Sequence, residues 1–145
     1  MQSLSFSPGR AFLSSDSTAV PWTVVFEDEG VAAYFYACDR SQQTHDASIL
    51  DAMLIYNVGA LAASDEELER PVSERIAAIE WSRDGLKAAL YLDGTPQALY
   101  DFAARRGYCR MNFPNFLAGQ NDLWDRSSHA WSDSALHQFE SALYI

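Results

Sequence analysis

The stretch WSRDGLKAALYLDGTPQALYDF, residues 81–102, decides the fold class because its apolar residues alternate around two turn signals. Alternate residues of Leu86–Leu92 are apolar and share one face of an extended strand. The dipeptides Asp84-Gly85 and Asp93-Gly94 tolerate the positive φ angles that tight hairpins need. The stretch therefore predicts an antiparallel meander.

Similar alternation on both sides of the meander predicts further strands. The run ILDAMLIYNV, residues 49–58, fits a helical stripe as well as a strand, and we favour a strand for its second half. Residues 1–20 are polar and rich in serine, which indicates a loose N-terminal segment with at most a short strand near Ser3–Phe6 or Ala11–Leu13. The other predicted strands are Trp22–Phe26, Val31–Cys38, Ile76–Trp81, Leu86–Leu92, Gln97–Phe102 and Tyr108–Met111.

Two helices are expected beside the strands. Ser132 or Asp133 can cap a C-terminal helix whose apolar stripe is Leu136, Phe139 and Leu143. Ser64 has the spacing of a capping box and predicts one short helix. The fold class is therefore α+β: one twisted antiparallel sheet of about six strands, packed against the C-terminal helix and the short helix. Residues 1–145 are expected to form a single globular domain, and Val31–Cys38 a central strand of its sheet.

Composition restricts the classes of partner. The formal charge of −10 argues against binding nucleic acid, which requires a surplus of lysine and arginine. No apolar run has the length of a membrane span, so we expect a cytoplasmic protein that binds no membrane. Cys38 and Cys109 lie far apart within apolar runs and are expected to be buried free thiols.

The sequence holds no recognisable catalytic signature. His45, His129 and His137 have no spacing typical of metal ligands, so no metal and no cofactor are expected. Acid–base trios can be assembled from His45, Asp46 and Asp51, or from His129, Asp125 and Asp133, but such trios occur in most acidic domains, and solvated loop residues and a helix cap explain both sets better.

Binding residues are easier to nominate than catalytic ones. Two acidic runs can attract a basic partner, and an aromatic segment at residues 112–131, preceded by arginines, has the residue types of binding hot spots. The same aromatics can instead cover a sheet face. The candidate binding residues are Glu27, Asp28, Glu29, Asp65, Glu66, Arg106, Arg110, Phe113, Phe116, Trp124 and Trp131.

Four stretches in order, VVFEDEGVAAYFYACD (24–39), ILDAMLIYNV (49–58), WSRDGLKAALYLDG (81–94) and YDFAARRGYCRMNFP (100–114), resemble a family of small bacterial proteins, domain of unknown function 2251. The resemblance runs from about Pro21 to the final helix. It implies a bacterial, single-domain, stand-alone protein. It implies no activity, cofactor or site residue.

Three functions remain open at this point. The first is a non-enzymatic domain that binds a basic protein, for example an immunity protein that neutralises a toxin. The second is an enzyme or small-ligand-binding protein with a pocket between the sheet and segment 112–131, using Tyr34, Tyr36, Tyr56, His129 or Arg110. The third is a structural module that oligomerises through an edge strand. The sequence does not determine the oligomeric state.

Overall fold

The computed structural model describes residues 2–7, 10–30, 32–41, 49–57, 75–111, 124–125 and 128–143. Within these ranges the chain forms nine strands and one helix. The strands are β1 Gln2–Phe6, β2 Ala11–Asp16, β3 Trp22–Asp28, β4 Ala32–Asp39, β5 Ile49–Asn57, β6 Arg75–Trp81, β7 Lys87–Leu92, β8 Thr95–Asp101 and β9 Arg106–Cys109, and the helix is α1 Asp133–Ser141.

The strands form two antiparallel sheets instead of the single sheet of about six strands that was expected. One sheet has five strands in the order β1-β6-β7-β8-β9, and the other has four in the order β2-β3-β4-β5. The prediction was wrong because alternation shows which residues of a strand share a face, but it does not show which sheet the strand joins. The fold is mostly β, and β4 is an internal strand of its sheet, as predicted.

The predicted meander is confirmed as β6-β7-β8. Asp93 has φ 52° and Gly94 has φ 82°, and Leu92 pairs with Thr95, so a two-residue hairpin of the primed type joins β7 to β8. The carboxylate of Asp93 accepts a hydrogen bond from the Ile76 amide, and this bond lowers the pKa of Asp93 below its ordinary value.

The two sheets pack face to face around one apolar core. Phe35 of β4 stacks on Tyr100 of β8 with ring centroids 5.0 Å apart, and the Tyr100 hydroxyl donates to the Phe35 carbonyl at 2.5 Å. Burial raises the pKa of Tyr100 well above its ordinary value, so this hydroxyl keeps its proton. The largest fully buried apolar side chains of this core are Val24, Phe26, Phe35, Met53, Ile55, Ile79, Leu90, Tyr100 and Phe102.

The C-terminal helix is confirmed and forms a third layer on the five-stranded sheet. The Ser132 hydroxyl accepts a hydrogen bond from the Ala135 amide at 3.1 Å, which makes Ser132 the N-cap. Phe139 is fully buried against Ala89 and Leu99, on the face of the sheet opposite to the main core. No helix in the part of the chain that the structure describes is long and apolar enough to cross a membrane.

The N-terminal region contributes more than was expected, because β1 and β2 both form and join different sheets. Their pairing is antiparallel, β1 with β6 and β2 with β3. The short helix expected near Ser64 lies outside the described residues.

Gly85 in the loop between β6 and β7 allows a stability prediction. Its φ is 73°, and a Cβ added there would lie 2.5 Å from the Ser17 Oγ and 2.8 Å from the Ala19 Cβ. Gly85→Ala is therefore expected to lower the free energy of unfolding by about 2–4 kcal/mol, since backbone strain and overpacking add.

Gly94→Ala is the matched control, because Gly94 has a φ of 82° but open space around the added Cβ. It is expected to lose only about 1–2 kcal/mol. Urea unfolding of both variants measures the difference, and equal losses would show that the contact with Ser17 has no energetic effect.

Candidate functional site

The acidic triplet Glu27-Asp28-Glu29 lies where β3 ends and turns toward β4. Gly30 has φ 99°, its amide donates to Asp28 Oδ1 at 2.9 Å, and the Glu29 amide donates to the Ala32 carbonyl at 3.0 Å. The sequence Glu-Asp-Glu-Gly therefore folds as a tight turn, because glycine adopts positive φ without strain and aspartate bonds the backbone two residues on.

An open cleft of about 770 Å³ lies beside this triplet, at the corner where β1 leaves one sheet and β2 enters the other. Its apolar side includes Phe6 of β1 and Phe12 of β2, and Phe12 is 60% exposed. We call this feature the acidic cleft; it is lined by Leu4, Ser5, Phe6, Arg10, Ala11, Phe12, Glu27, Asp28 and Glu29.

The three carboxylates of the acidic cleft differ in their surroundings. Asp28 is 3% exposed and accepts a 2.6 Å hydrogen bond from the Tyr56 hydroxyl. Glu27 is half-buried and lies opposite Phe12 in the β2–β3 register, and Glu29 is exposed. Asp28 therefore stabilises the fold, whereas Glu27 and Glu29 present negative charge to the solvent.

Two tyrosines respond to these carboxylates. Burial raises the pKa of Tyr36 above its ordinary value, and the nearby charges of Glu29 and Glu27 add to the shift. Burial also raises the pKa of Tyr56, with its hydrogen bond to Asp28 as the second cause. Both hydroxyls stay protonated at neutral pH, so the negative charge of this region resides on the carboxylates, opposed by Arg10.

The two candidate arginines lie on the other sheet. Arg106 is the first residue of β9, and its guanidinium carbon lies 4.8 Å from the centroid of the Tyr108 ring. Arg110 follows β9, donates from Nε to the Pro96 carbonyl at 2.6 Å, and lies 4.1 Å from the centroid of Trp131. The structure thus places Arg106, Arg110 and Trp131 beside the five-stranded sheet, whereas the acidic triplet lies at the end of β3 in the four-stranded sheet.

Trp124 is 6% exposed and lies in the core. Its Nε1 donates to Asp51 Oδ2 at 2.9 Å, and His129 Nε2 lies 2.7 Å from the same oxygen. Asp51 Oδ1 accepts from the Ala52 amide at 2.9 Å, so the carboxylate of β5 has three hydrogen-bond partners. We call Asp51, Trp124 and His129 the buried aspartate cluster.

The buried aspartate cluster combines one member of each acid–base trio suggested by the sequence. Asp51 is 0% exposed and His129 is 3% exposed, so the pair has little access to solvent. The burial of Asp51 could have been predicted from the sequence, because Asp51 and Met53 are two residues apart and therefore face the same side of β5. It could not pair Asp51 with His129, which lies 78 residues further along the chain.

Cys38 and Cys109 are not joined in a disulfide bond, as predicted. Cys109 is buried, and its Sγ lies 3.4 Å from the Leu54 carbonyl oxygen as a donor. Cys38 is only half-buried, but burial still raises the pKa of its thiol to about 11. A thiol with this pKa is almost entirely protonated at neutral pH and is a poor nucleophile.

The remaining expectations concern metal sites and residues outside the described ranges. The described ranges contain no group of three His, Cys, Asp or Glu side chains that could hold a metal ion. Asp65, Glu66, Phe113 and Phe116 lie outside the described residues, as do His45 and Asp46. The pocket expected beside segment 112–131 stays a prediction, because only residues 124–125 and 128–131 of that segment are described.

Comparison with known proteins confirms the resemblance seen in the sequence. The model of a family described as "Uncharacterized protein conserved in bacteria" matches residues 6–140. An "Uncharacterized protein" of Haemophilus influenzae (strain Rd) is 34% identical over 93 residues, which are 64% of this chain and 52% of the relative. The matched region therefore spans about half the length of that relative. No solved structure matches the chain.

Proposed function

Since the chain belongs to this bacterial family (DUF2251), we propose a function for it from the acidic cleft: a non-enzymatic domain that binds a basic protein. The observation that carries the proposal is the placement of Glu27, Glu29 and the exposed Phe12 around one open cleft. Interfaces that bind tightly combine an exposed aromatic anchor with charges complementary to the partner.

Charge supports a basic partner over an acidic one. The chain has a formal charge of −10, and the acidic cleft carries three carboxylates against the single guanidinium of Arg10. A field of this sign accelerates the association of a positively charged protein and repels negatively charged ones. We further propose that the partner is a toxin and that this protein is its immunity protein, which blocks a basic surface of the toxin by covering it.

The proposal is tested by co-expressing the tagged protein with the product of the adjacent gene in the source bacterium and measuring the affinity of the purified pair. A Glu27→Gln/Glu29→Gln double variant is expected to weaken binding about 3- to 30-fold, with a shallower dependence on salt, because it removes two partly exposed charges.

Two control variants make the test specific. Glu140→Gln removes the same charge from an exposed position on α1, at the far side of the five-stranded sheet, and should leave the affinity unchanged. Arg10→Gln removes the cation of the acidic cleft and should strengthen binding or leave it unchanged. A partner that binds equally well to the double variant, or that is itself acidic, would contradict the proposal.

A further inference from the structure

We propose that the basic partner supplies an extended segment that pairs as an additional strand with the outer edge of β2, which no other described strand covers. This inference rests on the proposed function and specifies how the acidic cleft is used. The partner class is a peptide segment with alternating basic and apolar side chains, about as long as the six residues of β2.

The first support is the pairing of β2. It is the edge strand of the four-stranded sheet and pairs with β3 at every position from Ala11↔Asp28 to Asp16↔Thr23. No other strand among the described residues pairs with it. In an antiparallel pair the N–H and C=O groups of alternate residues point away from the partner strand, so the outer edge of β2 retains hydrogen-bonding groups for a further strand.

The second support is the absence of the usual protection of an edge strand. Proteins commonly guard a free edge with lysine, proline or a bulge. The sequence of β2, Ala-Phe-Leu-Ser-Ser-Asp, contains neither lysine nor proline, and its register with β3 has no shift. By comparison, β5, the other edge strand of this sheet, has two register shifts in its pairing with β4.

The third support is the side-chain surroundings of that edge. Ala11 and Phe12 at the start of β2 line the acidic cleft together with Leu4–Phe6 of β1, so a strand added to β2 would have one end beside this cleft. Side chains on one face of the added strand would lie beside Phe12, which pairs with Glu27, and side chains on the other face would lie toward Phe6. Basic residues suit the first face and apolar residues suit the second.

The same charges argue against a second copy of this chain as the occupant. Pairing β2 with β2 of another copy would bring two acidic clefts together, each with Glu27, Asp28 and Glu29. Each chain also carries a formal charge of −10, so the copies repel each other at long range. A basic segment makes the same backbone hydrogen bonds without this repulsion.

The experiment uses the acetylated and amidated peptide KVKVKVKV as a probe and ¹⁵N-labelled protein as the target. Addition of the peptide at millimolar concentration is expected to slow hydrogen exchange of outward-facing β2 amides at least tenfold. The peptide EVEVEVEV should have no effect. Two further peptides are KVKVKVKV methylated on alternate backbone nitrogens, one at the lysines and one at the valines. The peptide whose methyl groups replace the N–H donors facing β2 should no longer protect the β2 amides.

A protein variant completes the design. Phe12→Ser removes the exposed aromatic side chain and should weaken the peptide at least threefold while leaving the protein folded, since Phe12 is 60% exposed. Peptide binding without protection of β2 amides, or no binding at millimolar concentration, would overturn strand addition. The proposed function would survive either result if the natural partner still depended on Glu27 and Glu29.

Discussion

Asp51→Ala is expected to lower the free energy of unfolding by about 3–5 kcal/mol, since each buried donor that loses its acceptor costs about 1–3 kcal/mol. Asp51 is fully buried, its carboxylate accepts from Trp124 Nε1 and from the Ala52 amide, and His129 Nε2 lies 2.7 Å from Oδ2. Alanine would leave these buried donors without an acceptor, and buried donors without a partner are strongly destabilising.

Urea unfolding, monitored by tryptophan fluorescence, measures the effect, and two further variants serve as references. Asp51→Asn keeps one acceptor oxygen but presents an amide N–H to a donor, so about half of the loss is expected. Glu140→Gln changes an exposed carboxylate and should stay within about 0.5 kcal/mol of the parent. If Asp51→Ala were as stable as Glu140→Gln, the buried aspartate cluster would have no role in holding the C-terminal segment to the sandwich.

Phe139→Ala is the second large effect, with an expected loss of about 3–5 kcal/mol. Phe139 is the one buried residue of α1 and fills the contact with Ala89 and Leu99. Small side chains on the sheet cannot close the space that a missing phenyl ring leaves, so both the apolar burial and the helix docking are weakened.

The control is His137→Ala, which changes an exposed position of the same helix and is expected to shift stability by no more than about 0.5 kcal/mol. Hydrogen exchange of the α1 amides distinguishes undocking from global unfolding, because undocking exposes the helix first. Protection of α1 in Phe139→Ala equal to that in His137→Ala would contradict the three-layer arrangement.

The local part of the fold could be predicted from the sequence. The alternation in Leu86–Leu92 correctly separated Leu90, which faces the main core, from Ala89, which faces α1. The Asp93-Gly94 turn and the Ser132 cap also followed from side-chain chemistry that acts within a few residues. These features depend on neighbours along the chain, which the sequence shows directly.

The partition into two sheets could not be predicted in this way. Each strand alternates with the same period, and the chain passes from one sheet to the other between β1 and β2 and again between β5 and β6. Neither crossing changes the two-residue period of the apolar residues. The serine-rich start of the chain also hid β1 and β2, because Ser3, Ser5 and Ser14 occupy exposed positions of these strands and interrupt their apolar pattern.

For the candidate site, too, the local features could be predicted from the sequence and the long-range contacts could not. The charge of Glu27 and Glu29 was visible in the sequence, and so was the turn that presents them. The acidic cleft was not, because it forms between β1 and β3 residues that are distant in sequence. The burial of Trp124 depends on its bond to Asp51, 73 residues earlier, and no local pattern specifies such a contact.

The most direct test of the central claim, that the acidic cleft is the surface that binds a basic protein, is ¹⁵N chemical-shift mapping with the purified partner. The largest shifts are expected at β2, at Glu27–Glu29 and at Arg10. Shifts confined to α1 and β9, on the far sheet, would contradict the claim even if the two proteins bind tightly.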